Sequence, residues 1–158
     1  MPALIAGLGL LMAGSAVAQT FTTLHNFAQS PLGIQTNRDG IGPTAGLILS
    51  GDTLYGTTAY GGVQGSGTVF AIKTNGMSFV TLHTFTNSDG INPYTQLSLS
   101  SNTLYGTTEN GGLHGSGVIF AINTDGTGFT NLHHFTALVG TAGVWQSGTN
   151  SEGGGLTH

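Results

Sequence analysis

From residue 46 to residue 85 the chain reads as short apolar stretches of period two, each closed by a cluster of glycine, serine, asparagine or aspartate. Residues 46–50 form the first predicted strand, with Leu47 and Leu49 on one face. After the two-residue turn Gly51-Asp52 comes a second strand over 53–58, and so short a connection requires an antiparallel hairpin. A glycine-rich run over 61–67 leads to a third strand over 68–72, where Val69 and Ala71 alternate with Phe70 and Ile72. Both faces of that strand are apolar, so it belongs inside a stack of sheets and not on an open surface. Thr74-Asn75-Gly76 carries the Asn-Gly signal for a tight turn into a fourth strand over 79–85.

The whole pattern then repeats fifty residues later. Residues 39–86 and 89–136 align without a gap and are identical at 28 of 48 positions, including Leu-Tyr-Gly-Thr-Thr at 54–58 and 104–108. Strands are therefore expected again over 97–100, 103–108, 118–122 and 129–135. A further copy of the fourth strand, TFTTLHNF over 20–27, precedes the first unit. Between Phe27 and Asp39 the chain is eight residues longer than between Phe85 and Asp89, which marks a surface loop at that junction. Asp-Gly-x-x-Pro, at 39–43 and 89–93, reads as a turn whose proline stands at the edge of a ladder, in preference to a carboxylate ligand.

Composition agrees with a turn-rich β protein. The 158 residues include 28 glycines, and only 5% are charged, against about 25% in an ordinary soluble domain. The two basic residues, Arg38 and Lys73, cannot neutralise a run of phosphates, which excludes nucleic acid as a partner. The absence of cysteine removes disulfides, thiolate chemistry and thiolate-bound metals. Residues 1–18 are an apolar run ending in Ala16-Val17-Ala18, read as a signal peptide; they are shorter than the ~20 residues of a membrane span. The expected divisions are thus 1–18 for export, 19–136 for the tandem repeat, and 137–158 for a glycine-rich tail in which Thr149 to Gly153 echo the start of another unit.

Three words of the repeat carry a resemblance: Gly-Ser-Gly-x-Val-Phe-Ala-Ile at 65–72, Asn-Thr-Asp-Gly-x-x-Phe-x-x-Leu-His-x-Phe at 123–135, and Leu-Tyr-Gly-Thr-Thr-x-x-Gly-Gly at 104–112. With them the chain resembles the GloVer tandem-repeat proteins of bacterial secreted and surface chains. The resemblance implies an all-β, β-propeller-like repeat of four-stranded antiparallel blades, here incomplete, with two full blades plus an extra strand. It implies no catalytic residues. The glycine doublets are also similar to those of kelch blades, as an analogy of architecture alone.

The repeated titratable group is histidine, with His25, His83 and His133 at one position of the fourth strand. Blades around an axis could gather them into a metal-binding ring, but each follows a leucine, and recurrence in every copy equally suits a packing role, which is the expectation here. His114 and His134 stand outside the repeated words and are expected at the surface. Asp125 lacks the further acidic ligands of a calcium loop. The six carboxylates suggest no flanking pair for glycoside hydrolysis, and Ser66 and Ser116 lack a nucleophile elbow. Tyr55, Tyr105, Phe70 and Phe120 are expected in the core. Tyr60 and Trp145 are the candidate ligand-binding platforms. The chain is accordingly expected to be a non-enzymatic, exported repeat module acting as scaffold, adhesion or ligand-binding surface, without cofactor. Its expected partners are its own copies, through unpaired edge strands, or a glycan or cell-surface component. The alternative is part of a carbohydrate-binding or carbohydrate-active propeller.

Overall fold

The computed structural model describes residues 20–28 and 36–136, together with the backbone of two short strands at 138–139 and 145–146. The described residues form twelve strands: β1 (Asn37–Ile41), β2 (Ile48–Ser50), β3 (Thr53–Thr58), β4 (Tyr60–Gly62), β5 (Thr68–Lys73), β6 (Val80–Thr84), β7 (Ser98–Ser100), β8 (Thr103–Thr107), β9 (Val118–Asn123), β10 (Thr130–His134), β11 (Leu138–Val139) and β12 (Trp145–Gln146). The described residues are all-β, without a helix. Two four-stranded antiparallel sheets, in the orders β2-β3-β5-β6 and β7-β8-β9-β10, are the two copies of the repeat, and neither closes on itself. Among the described residues no helix is long and apolar enough to cross a membrane. The signal-peptide reading of residues 1–18 and most of the tail lie outside the described residues.

Each meander follows from its turns. Gly51 and Ser101 open the first hairpin in the left-handed region, with φ of 58° and 54°, and the register Ser50↔Thr53 matches Ser100↔Thr103. The third strands are buried along nearly their whole length, as their doubly apolar pattern requires. Opposite them stand Gly56 and Gly106, paired with Phe70 and Phe120. A Cβ at Gly106 would lie 2.4 Å from Phe120 Cζ, so the missing side chain makes the space in which the cross-strand ring lies.

One core joins the two sheets. Tyr55, Val69, Ala71 and Phe85 of the first unit meet Leu97, Leu104, Phe120 and Ile122 of the second, with Ile48, Leu82, Leu99 and Phe129 at the margin. Sheets stacked in this way each present one face inward, and the burial pattern records the direction: Tyr55 is buried and Tyr105 half-buried, whereas Leu104 is buried and Leu54 half-buried.

Two expectations need correction, and the first unit differs from the second at one further place. Residues 20–27 form no strand: β6 and β10 each pair with a third strand, β5 and β9, and among the described residues no strand pairs with this segment. Asp39 lies within β1, which pairs with β4 across Ile41↔Tyr60, so the first Asp-Gly-x-x-Pro is partly extended; in the second copy Asp89 does occupy a turn, and only the bridge Ile91↔Asn110 remains. Leu47 and Leu49 are exposed although Leu97 is buried and Leu99 packs against the core; among the described residues no further four-stranded sheet covers the first unit on that side.

Candidate functional site

The three recurrent histidines do not converge on one point. His83 is instead a component of the joint between the two units, and His25 of the matching contact between residues 20–28 and the first unit. His83 leaves β6 and stacks face to face on Phe129 of the next unit, with ring centroids 3.6 Å apart and 6° between planes, while Phe85 meets it edge-on at 4.9 Å. His25 stacks likewise on Phe79, at 3.9 Å and 8°, and meets Phe27 at 4.7 Å. A β-bulge at Leu82 explains how neighbours in sequence serve one interface: it breaks the alternation, so that Leu82 packs on the shared core while His83 reaches Phe129.

A carboxylate completes each joint. His25 Nε2 lies 3.1 Å from Asp39 Oδ2, which also accepts the Ala28 amide at 3.0 Å. Asp89 Oδ2 lies 3.2 Å from His83 Nε2, while its Oδ1 accepts the Thr86 amide at 2.6 Å and the Thr86 hydroxyl at 3.0 Å. The two distances agree although the connection before Asp39 is eight residues longer. The His83 nitrogen has no aligned hydrogen bond, so its contact with Asp89 is one of proximity and charge. Burial lowers the His83 pKa below 6.5, and Asp89 only partly opposes this, so the ring is neutral at neutral pH. A neutral, stacked ring serves packing. No group of three or more His, Asp or Glu suited to a metal occurs among the described residues.

Two further carboxylates, Asp52 and Asp125, are engaged locally. Asp52 pairs with Lys73 at 2.7 Å on the surface, and Asp125 accepts the Thr127 amide and hydroxyl at 2.9 and 2.7 Å, which lowers its pKa. Ser66 is buried in the connection between β4 and β5, where its carbonyl accepts the Asn92 amide at 3.0 Å. His114 is exposed as expected, but His134 is half-buried and accepts the Leu113 amide at 3.1 Å.

Tyr60 meets a second tyrosine across the unit boundary. It stands in β4 at the loop end of the stack, its hydroxyl hydrogen-bonded to that of Tyr94 and its ring edge-on to Tyr94 at 6.0 Å. The Tyr94 pKa is pushed up to about 12, first by partial burial, then by Tyr60 and by the nearby Glu109 charge. The backbone beneath is fixed by Asn92, which donates from Nδ2 to the Ala59 carbonyl at 2.9 Å and accepts the Glu109 amide at 3.1 Å. Sequence reasoning missed Tyr94. The available signal was that Tyr60 aligns with Asn110 and Tyr94 with Thr44: the copies depart from each other at both places, and the structure brings both departures together across the unit boundary. Trp145, the other candidate, falls in β12, and its side chain lies outside the described residues.

No curated protein matches the chain. The family model described as the Gloeobacter/Verrucomicrobia repeat matches residues 5–157, nearly the full length. With its two four-stranded units of the same strand order and this match over nearly its whole length, the chain belongs to the Gloeobacter/Verrucomicrobia repeat family.

Proposed function

We propose that the chain is a non-catalytic, exported repeat module whose units are blades of propeller type and whose loops make an extracellular scaffold, adhesion or ligand-binding surface. The observation that carries this reading is the use of the repeated histidine, aspartate and phenylalanine set. His83, Asp89 and Phe129 are committed to holding two units together, and the matching His25, Asp39 and Phe79 set holds residues 20–28 on the first unit. The blade reading is supported by the meander order and by the dependence of each apolar face on a neighbouring unit.

Two measurements on the full-length chain test it. Expressed with its own leader in a bacterial host, the chain should be recovered outside the cytoplasm with Gln19 as its new N-terminus. Cytoplasmic retention with an intact leader would overturn export. Incubated with a panel of polysaccharides, it should release no reducing ends; turnover of any of them would overturn the non-catalytic assignment.

A second reading, glycan binding, is favoured by the Tyr60–Tyr94 pair. The half-buried Tyr60 ring and the exposed Tyr94 ring, set edge to face with the Glu109 carboxylate nearby, offer an apolar platform and a hydrogen-bond acceptor. Saturable retention on a polysaccharide, lost in both Tyr60→Ala and Tyr94→Ala, would select this reading.

A further inference from the structure

The outer face of the second sheet is a copy of a face that the first sheet buries. In the first unit Tyr55, Val69 and Phe85 are buried against the second sheet, with Leu82 and His83 at the margin. Their counterparts Tyr105, Ile119 and Phe135 are half-buried, His133 is exposed, and Leu132 is 55% exposed. Folding of the second unit does not require this apolar set, since its own core lies on the other side of the sheet. His133 and Phe135 are nonetheless already arranged edge-on at 4.9 Å, as His83 and Phe85 are in the filled joint.

The opposite end of the stack is the complement. There Leu47, Phe70 and Ile72, with Pro43 and Leu24, line a cavity of about 400 Å³ beneath residues 20–28. In the second unit Leu97, Phe120 and Ile122 occupy the matching places and are buried by Tyr55, Val69 and Ala71. The cavity therefore marks the seat of a Tyr-Val-Ala face that residues 20–28 do not bring. They bring the joint alone: His25 on Asp39 and Phe79, and Phe27 on Phe70 at 5.3 Å, from a segment with no strand ladder of its own.

We propose that the outer face of the β7–β10 sheet docks on the first unit of a second copy of this chain. His133 and Phe135 then take the positions at Asp39, Phe79 and Phe70 that the copy's own His25 and Phe27 hold, and the half-buried Tyr105 and Ile119 fill the cavity. The contact is continuous in chemistry with the joint inside the chain, an imidazole to a carboxylate and aromatic to aromatic. It joins unlike ends, so it propagates head to tail into open chains or closed rings. The inference deepens the scaffold reading by naming a partner, and it rests on that reading only for its biological use.

Light scattering on the full-length chain over a range of concentrations tests it. His25→Ala with Phe27→Ala frees the receiving end, and the concentration at which species larger than one chain appear should fall about tenfold or more. Adding Leu132→Asp, at an exposed position, should restore the single chain, and circular dichroism establishes that each variant retains its β structure. A folded double variant that stays a single chain at all concentrations would overturn the proposal, and so would association that survives Leu132→Asp. Either result leaves export and polysaccharide turnover untouched, so failure here is distinct from failure of the scaffold reading.

Discussion

Phe85 and Phe135 occupy the same place in successive units, follow the same Leu-His pair, and differ in whether another sheet covers them. Truncation of each to alanine therefore separates what a unit contributes alone from what stacking adds. Phe85 is fully buried, with the rings of Phe120 and Phe129 at 5.0 and 5.8 Å. Its loss removes a buried aromatic and leaves a cavity between two sheets, which costs about 3–5 kcal/mol. Phe135 is half-buried, its ring in contact with His133, and its removal should cost about 1–2 kcal/mol. A difference of about 2–3 kcal/mol corresponds to roughly 4–12 °C in Tm for a chain of this size. Urea unfolding followed by far-ultraviolet circular dichroism gives the midpoints, and an unchanged slope confirms that stability itself has moved. Equal costs at the two positions would refute the reasoning, because burial of the ring would then arise within each unit and not from its neighbour.

The other predictions concern single contacts. Gly106→Ala places a Cβ within 2.4 Å of Phe120 and 2.9 Å of Leu97 and should destabilise by about 1–3 kcal/mol; Phe120→Leu in the same chain should recover part of this, a coupling that a double-mutant cycle reads directly. Because burial lowers the His83 pKa, the unfolded chain binds a proton near pH 6.5 that the folded chain refuses, so stability is complete above that pH and falls as pH drops from 6.5 toward the lowered value. The urea midpoint should follow that course and flatten in His83→Asn; an unchanged slope in the variant would contradict it. In an alkaline spectrophotometric titration one tyrosine should ionise late, near pH 12, and Tyr60→Phe should move that phase back toward the ordinary value of 10.0. A late phase indifferent to Tyr60 would assign it to another ring.

Period-two patterning located the eight strands of the two sheets within a residue or two, since turn chemistry at Gly51-Asp52, Asn75-Gly76 and Asp125-Gly126 leaves little choice of register. Burial of the third strands was equally legible, because Val69, Phe70, Ala71 and Ile72 are apolar on both sides. The joint was legible only in part. That His83 packs could be inferred from its recurrence, but its stacking on Phe129 depends on the bulge at Leu82, and strict alternation would send Leu82 and His83 to opposite faces. The strand expected over 20–27 failed for a related reason: local propensity was sufficient, but a ladder needs a partner strand, which propensity does not report. Tyr94 was hidden because its meaning lies across a unit boundary, at a place where its aligned counterpart is threonine.

The constancy of the joint despite eight extra residues between Phe27 and Asp39 has a practical corollary. Recognition between His25 and Asp39 depends on what each group touches and not on the length of peptide that ties them. The interval between them is therefore a natural splice point, able to carry inserted cargo of varied length while the flanking blocks keep their mutual seating.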